Sequence, residues 1–109
     1  MANQLKVVLA LKWIRQNEYE ATVSVTTTDS CFVEGDLKVG LPLNTVGLPE
    51  LEYLTFSFSH TGKECGQIVR TVSKTIPIQF SPAKPTVTAY AVVNGVVAGH
   101  DTKSFPRAS

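Results

Sequence analysis

The segment His60-Thr61-Gly62-Lys63-Glu64-Cys65-Gly66-Gln67 brings a histidine, a lysine and a cysteine close together in the chain. A thiol near a histidine and a cation loses its proton more readily, and the thiolate is the nucleophilic and redox-active form. Cys65 with His60 is therefore the pairing that points to thiol-dependent redox or hydrolytic chemistry. Catalysis asks for more: a third group that orients the histidine, and donors for a developing oxyanion. The chain has one other histidine, His100, and no strand-to-helix elbow that would present a nucleophile. The competing reading is a polar hairpin tip with a disulfide or a buried thiol at its base. On that reading the protein is not an enzyme.

A metal site can be drawn from Cys31, His60, Cys65 and His100, with Asp101 in reserve. Structural zinc sites usually present local ligand pairs about two to four residues apart. Here the four ligands stand singly, and only His100 and Asp101 adjoin, so no metal is expected. No glycine-rich loop opens a helix, and no cluster of Asp and Glu has calcium-loop spacing, so no cofactor is expected either. Cys31 and Cys65 are too few for a disulfide framework. A bridge between them would close a loop of roughly 33 residues and contribute about 3 kcal/mol on the chain-entropy model. Two reduced thiols are the default in a cytosolic protein. Both states stand as alternatives.

The elements that would position these groups read as strands. Residues 5–14 alternate, with Leu5, Val7, Leu9, Leu11 and Trp13 on one face and Lys6 and Lys12 on the other. Residues 19–26 alternate again, Tyr19, Ala21, Val23 and Val25 against Glu20, Thr22, Ser24 and Thr26. The polar stretch 15–18 between them reads as a hairpin loop. Cys31-Phe32-Val33 is a short apolar run, and Leu37, Val39 and Leu41 form a short strand. In residues 51–59, Leu54, Phe56 and Phe58 point one way. Two further strands are expected over 65–72, with Ile68 and Val72 inward, and over 74–80, with Ile76, Ile78 and Phe80 inward. Pro77 cannot donate to a ladder, which places its strand at an edge or turns its nitrogen outward. Residues 85–99 hold Asn94-Gly95 between strand-forming runs, the pattern of a two-residue hairpin turn. The first strand of that hairpin has small residues on one face and Thr88, Tyr90 and Val92 on the other, as a central strand would. Residues 101–109 read as a loose tail.

This gives seven to nine short strands with turn signals every 8–12 residues or so and no convincing amphipathic helix. The chain of 109 residues is expected to be a single all-β domain, a two-sheet antiparallel sandwich, with a small β-barrel as the alternative. In outline it resembles immunoglobulin-like and fibronectin-like sandwiches. It departs from true immunoglobulin domains because Trp13 precedes both cysteines, and such a fold hosts many functions.

Composition excludes more than it assigns. Net charge is +1, with −3 over residues 1–54 and +4 over residues 55–109. No run of like charges and no basic stripe interleaved with aromatics supports nucleic-acid binding. No stretch approaches the roughly 20 apolar residues of a membrane span. No secretory signal is evident, so the compartment is not assigned. What is left is a binding or structural module that meets a protein through loops or an edge strand. The apolar loop at 42–49 supplies Leu43, Val46 and Leu48, which either form an exposed patch or tuck against the core. Asn94 at the hairpin tip is a further candidate contact. A self-assembling coat or tail component is the other structural alternative.

Overall fold

The computed structural model describes residues 5–42, 45–62 and 64–105. Among these residues there are seven strands and no helix: β1 (Lys6–Arg15), β2 (Glu18–Thr27), β3 (Phe32–Val39), β4 (Leu51–His60), β5 (Arg70–Gln79), β6 (Thr86–Val93) and β7 (Val96–Ser104). They form a three-stranded sheet, β1-β2-β5, and a four-stranded sheet, β3-β4-β6-β7. The sheets stay separate, so the fold is a sandwich and not a closed barrel.

Alternation decides which face is covered, because successive side chains of a strand point to opposite faces. Strand β2 shows this most cleanly. Tyr19, Ala21, Val23, Val25 and Thr27 are buried, and the residues between them are half-buried. On the outer face the hydroxyls pair across β2 and β5: Thr22 with Thr75 at 2.8 Å, Ser24 with Ser73 at 2.7 Å and Thr26 with Thr71 at 3.1 Å. From the other sheet Leu54, Phe56, Phe58, Val87, Ala89 and Ala91 enter the same core. Strand β6 has β4 and β7 as neighbours, so it is central, and β5 with Pro77 is an edge. Asn94 and Gly95 both have positive φ, 50° and 83°, as a primed two-residue turn requires.

The open sides of the sandwich are closed differently. On one side β1 meets β7: Leu5 N–H donates to the Ala98 carbonyl at 2.9 Å, and Leu9 N–H donates to Asp101 Oδ2 at 2.8 Å. On the other side two long cations of β5 reach β3. Arg70 donates to the Phe32 carbonyl at 3.2 Å and Lys74 Nζ to the Gly35 carbonyl at 2.7 Å.

Several sequence expectations are corrected. Trp13 is 47% exposed. It lies at the hairpin end of edge strand β1, beside a register shift between Trp13 and Arg15. The covering rings Phe80 and Phe105 go to Tyr19, its partner across the ladder. Ile68 is 55% exposed, because residues 65–69 form no strand. The two strands expected over 65–72 and 74–80 are one, β5. Residues 101–104 continue β7, and Phe105 packs against the core, so this part of the expected tail belongs to the sandwich. Finally, β4 and β6 run parallel. That pair departs from immunoglobulin sandwiches, whose sheets are antiparallel.

Candidate functional site

Two connections at one end of the sandwich carry the chemistry-bearing residues. The β2–β3 connection holds Asp29, Ser30 and Cys31, and the β4–β5 connection follows His60 and holds Cys65. Cys31 and Cys65 are joined by a disulfide, with Cα atoms 5.4 Å apart. The two connections are also laced by hydrogen bonds. Ser30 N–H donates to the Gly66 carbonyl at 2.9 Å, Gly66 N–H donates to Ser30 Oγ at 2.8 Å, and Thr61 N–H donates to the Cys31 carbonyl at 3.3 Å.

His60 sits at the end of β4 with its ring edge-on to Phe32, centroids 4.6 Å apart. Its Nε2 lies 3.1 and 3.0 Å from the two Asp29 carboxylate oxygens. Gly62 N–H donates to Nδ1 at 3.1 Å. A nitrogen that accepts carries no proton, so the network assigns the proton to Nε2, which donates it to Asp29. Asp29 Oδ1 also accepts from Cys31 N–H at 2.8 Å, an Asx-turn. The Asp29 carboxyl is held below its ordinary pKa, chiefly by the His60 hydrogen bond. Partial burial opposes this, and the Cys31 N–H adds to it.

This geometry places the two residues of the thiol reading, Cys65 and His60. The sulfur of Cys65 is bonded to Cys31, so no free thiol is present. Both ring nitrogens of His60 are engaged, Nε2 by Asp29 and Nδ1 by the Gly62 N–H. Of the metal candidates, Cys31, His60 and Cys65 do come together, and the fourth member of the cluster is Asp29. His100 lies elsewhere, on β7, with its ring 5.9 Å from Tyr90. Asp101 accepts from the β1 backbone. Asp29 was missed because 27–30 reads as a turn cluster. The signal was the Asp-x-Cys spacing of an Asx-turn.

Asn94, a candidate contact at the hairpin tip, is hydrogen-bonded to the backbone of β4. Its side chain accepts from His60 N–H at 3.0 Å and donates to the His60 carbonyl at 3.2 Å, tying the β6–β7 turn to β4. A cleft of about 240 Å³ opens there between Phe32, His60, Asn94 and Val97.

The apolar loop forms the second feature. Val46 is 97% exposed and Leu48 56%, so neither caps the core. Leu43 lies outside the described residues. The loop residues Gly47 and Leu48 are nonetheless held in place. Leu48 N–H donates to the Tyr53 hydroxyl at 2.8 Å, and Tyr53 itself is 7% exposed. Gly47 packs closely on that ring: a Cβ there would stand 2.6 Å from Tyr53 Cε2 and 2.7 Å from Leu41 Cδ1, so a larger residue would have to displace the ring. Val39 and Leu41, both exposed, continue the apolar surface from the end of β3. They line a groove of about 410 Å³ with Pro42, Thr55 and Val92. No protein-family model, curated protein or solved structure matches this chain.

Proposed function

We propose that this protein is a non-enzymatic β-sandwich module that binds a protein partner through the apolar loop beside β3. The observation that carries the reading is that Val46 and Leu48, on a loop pinned at Leu48 to buried Tyr53, and Val39 and Leu41, at the end of β3, are all exposed. Scattered apolar residues on a surface need no explanation, but here Val39 and Leu41 line a groove and Leu41 lies beside Gly47, between Val46 and Leu48, which fits a contact site. A pinned loop loses little freedom on binding, which favours affinity. The loop is preferred over strand addition at β3, because the Phe32 and Gly35 carbonyls of that edge already accept from Arg70 and Lys74. The partner would present an apolar side chain to the groove.

The test uses Val46→Asp and Leu48→Asp. Both positions are exposed, so stability should change by no more than about 0.5 kcal/mol. Wild-type and variant proteins are immobilised, and the proteins they retain from the native source are compared. The expected result is a defined partner whose retention falls roughly tenfold or more in each variant, as for a hot-spot side chain. Equal retention by wild type and variants, or no partner on the wild type, overturns the reading. Concentration-dependent oligomers of the wild type that the variants lose would make the partner a second copy of the chain.

A further inference from the structure

We propose that Asp29, Cys31, His60 and Cys65 form a metal site for a thiophilic divalent cation of the zinc type, available once the disulfide is reduced. The donor atoms of the four residues all lie within 4.8 Å of one another. Four donors around a tetrahedral zinc, with bonds of about 2.0–2.3 Å, stand roughly 3.3–3.8 Å apart. Closing the cluster onto an ion therefore needs shifts of about an ångström. Two thiolates, one imidazole and one carboxylate are all ligand types that zinc accepts, and the thiolates disfavour magnesium and calcium.

The donors arrive as two local pairs, Asp29-x-Cys31 and His60-x4-Cys65, one from each connection. The sulfur–sulfur bond is not the sole tie between the connections. The hydrogen bonds from Ser30, Gly66 and Thr61 span them independently of the sulfur–sulfur bond. A dithiol reductant breaks that bond by exchange. It is itself oxidised to a disulfide and delivers two electrons and two protons, leaving Cys31 and Cys65 as thiols. The metal then displaces both thiol protons into solvent. His60 must change its hydrogen bonds. With Nε2 on the metal, the ring proton moves to Nδ1, where Gly62 N–H now donates. The Thr61–Gly62 turn has to let go of the ring, so occupancy of the site and the conformation of this connection are linked. The disulfide and the metal are thus alternative fastenings of the same two connections.

The experiment uses the full chain reduced with a phosphine, titrated with zinc against a colorimetric chelator and, separately, with cobalt(II). The expected result is one equivalent of zinc per reduced chain and none for the oxidised chain. Cobalt should show thiolate charge-transfer absorption and the visible spectrum of a tetrahedral site. Asp29→Ala and His60→Ala, which leave both cysteines in place, should each weaken zinc affinity by at least about tenfold. Variants that bind as tightly as wild type overturn the proposal, as does a reduced chain that takes up no zinc. If reduction unfolds the chain, zinc must restore the strand signal in circular dichroism; failure to do so also overturns it.

Discussion

At the scale of single residues, position along a strand decides more than residue type. Trp13 keeps the alternation of Leu5, Val7 and Leu9, yet it ends up half in water because edge strand β1 outruns its cover. Trp13→Ser should therefore lower the unfolding free energy by about 1–2 kcal/mol in urea titrations, below the roughly 3–5 kcal/mol of a fully buried Trp. A loss of several kcal/mol would show that the ring is covered after all. His60 and Cys65 were legible as chemistry because they are neighbours in sequence. Asp29 was not, because its partner His60 is 31 positions away and its own surroundings read as punctuation. Only the folded chain shows that the histidine already has the carboxylate that orients it.

At the scale of elements, periodicity found the strands and misjudged their ends. Strands β1, β2, β4 and β6 fall where alternation puts them, since each has one face against the core. The stretch 65–69 has strand-like composition but is held by the Cys31–Cys65 link and the Gly66 hydrogen bonds, so it runs as a connection. Tethers of this kind leave no periodic signal. The edge of β3 is another feature invisible in the pattern. Strand edges invite pairing with other chains unless something occupies them. Arg70 and Lys74 occupy this one from the opposite sheet. The double variant Arg70→Ser/Lys74→Ser should therefore associate with rising concentration, measured by light scattering, where the wild type does not do so to the same degree. An unchanged molecular weight for the variant would mean that other features guard the edge.

At the scale of the molecule, the sandwich was legible because nearly every strand shows a half-buried alternation, and in residues 5–14, where Leu5, Val8, Leu9, Lys12 and Trp13 also keep a helical spacing, alternation accounts for all five large residues and leaves both lysines outside. All expected inward residues except Trp13 and Ile68 lie in the core or pack against it. Strand order was not legible, because pairing across long sequence separations leaves no local mark. The disulfide is the main covalent restraint on the whole: it spans 34 positions and links the second and fourth connections along the chain. Cys31→Ser/Cys65→Ser should lower stability by about 3–4 kcal/mol in urea titrations under non-reducing conditions, from the loop entropy returned to the unfolded chain. A loss well under 1 kcal/mol would mean that the laced hydrogen bonds, not the sulfur link, hold the two connections.

The parallel pairing of β4 with β6 has a consequence for the order in which the molecule comes into being. Parallel neighbours cannot be joined by a tight hairpin. After β4 the chain crosses to the other sheet, lays β5 against β2, and only then returns as β6. During synthesis β4 therefore has no β6 partner until residues 86–93 have left the ribosome, after all of β5. Until that moment the edge of β4 that faces β6 keeps its backbone donors and acceptors without their ladder partner.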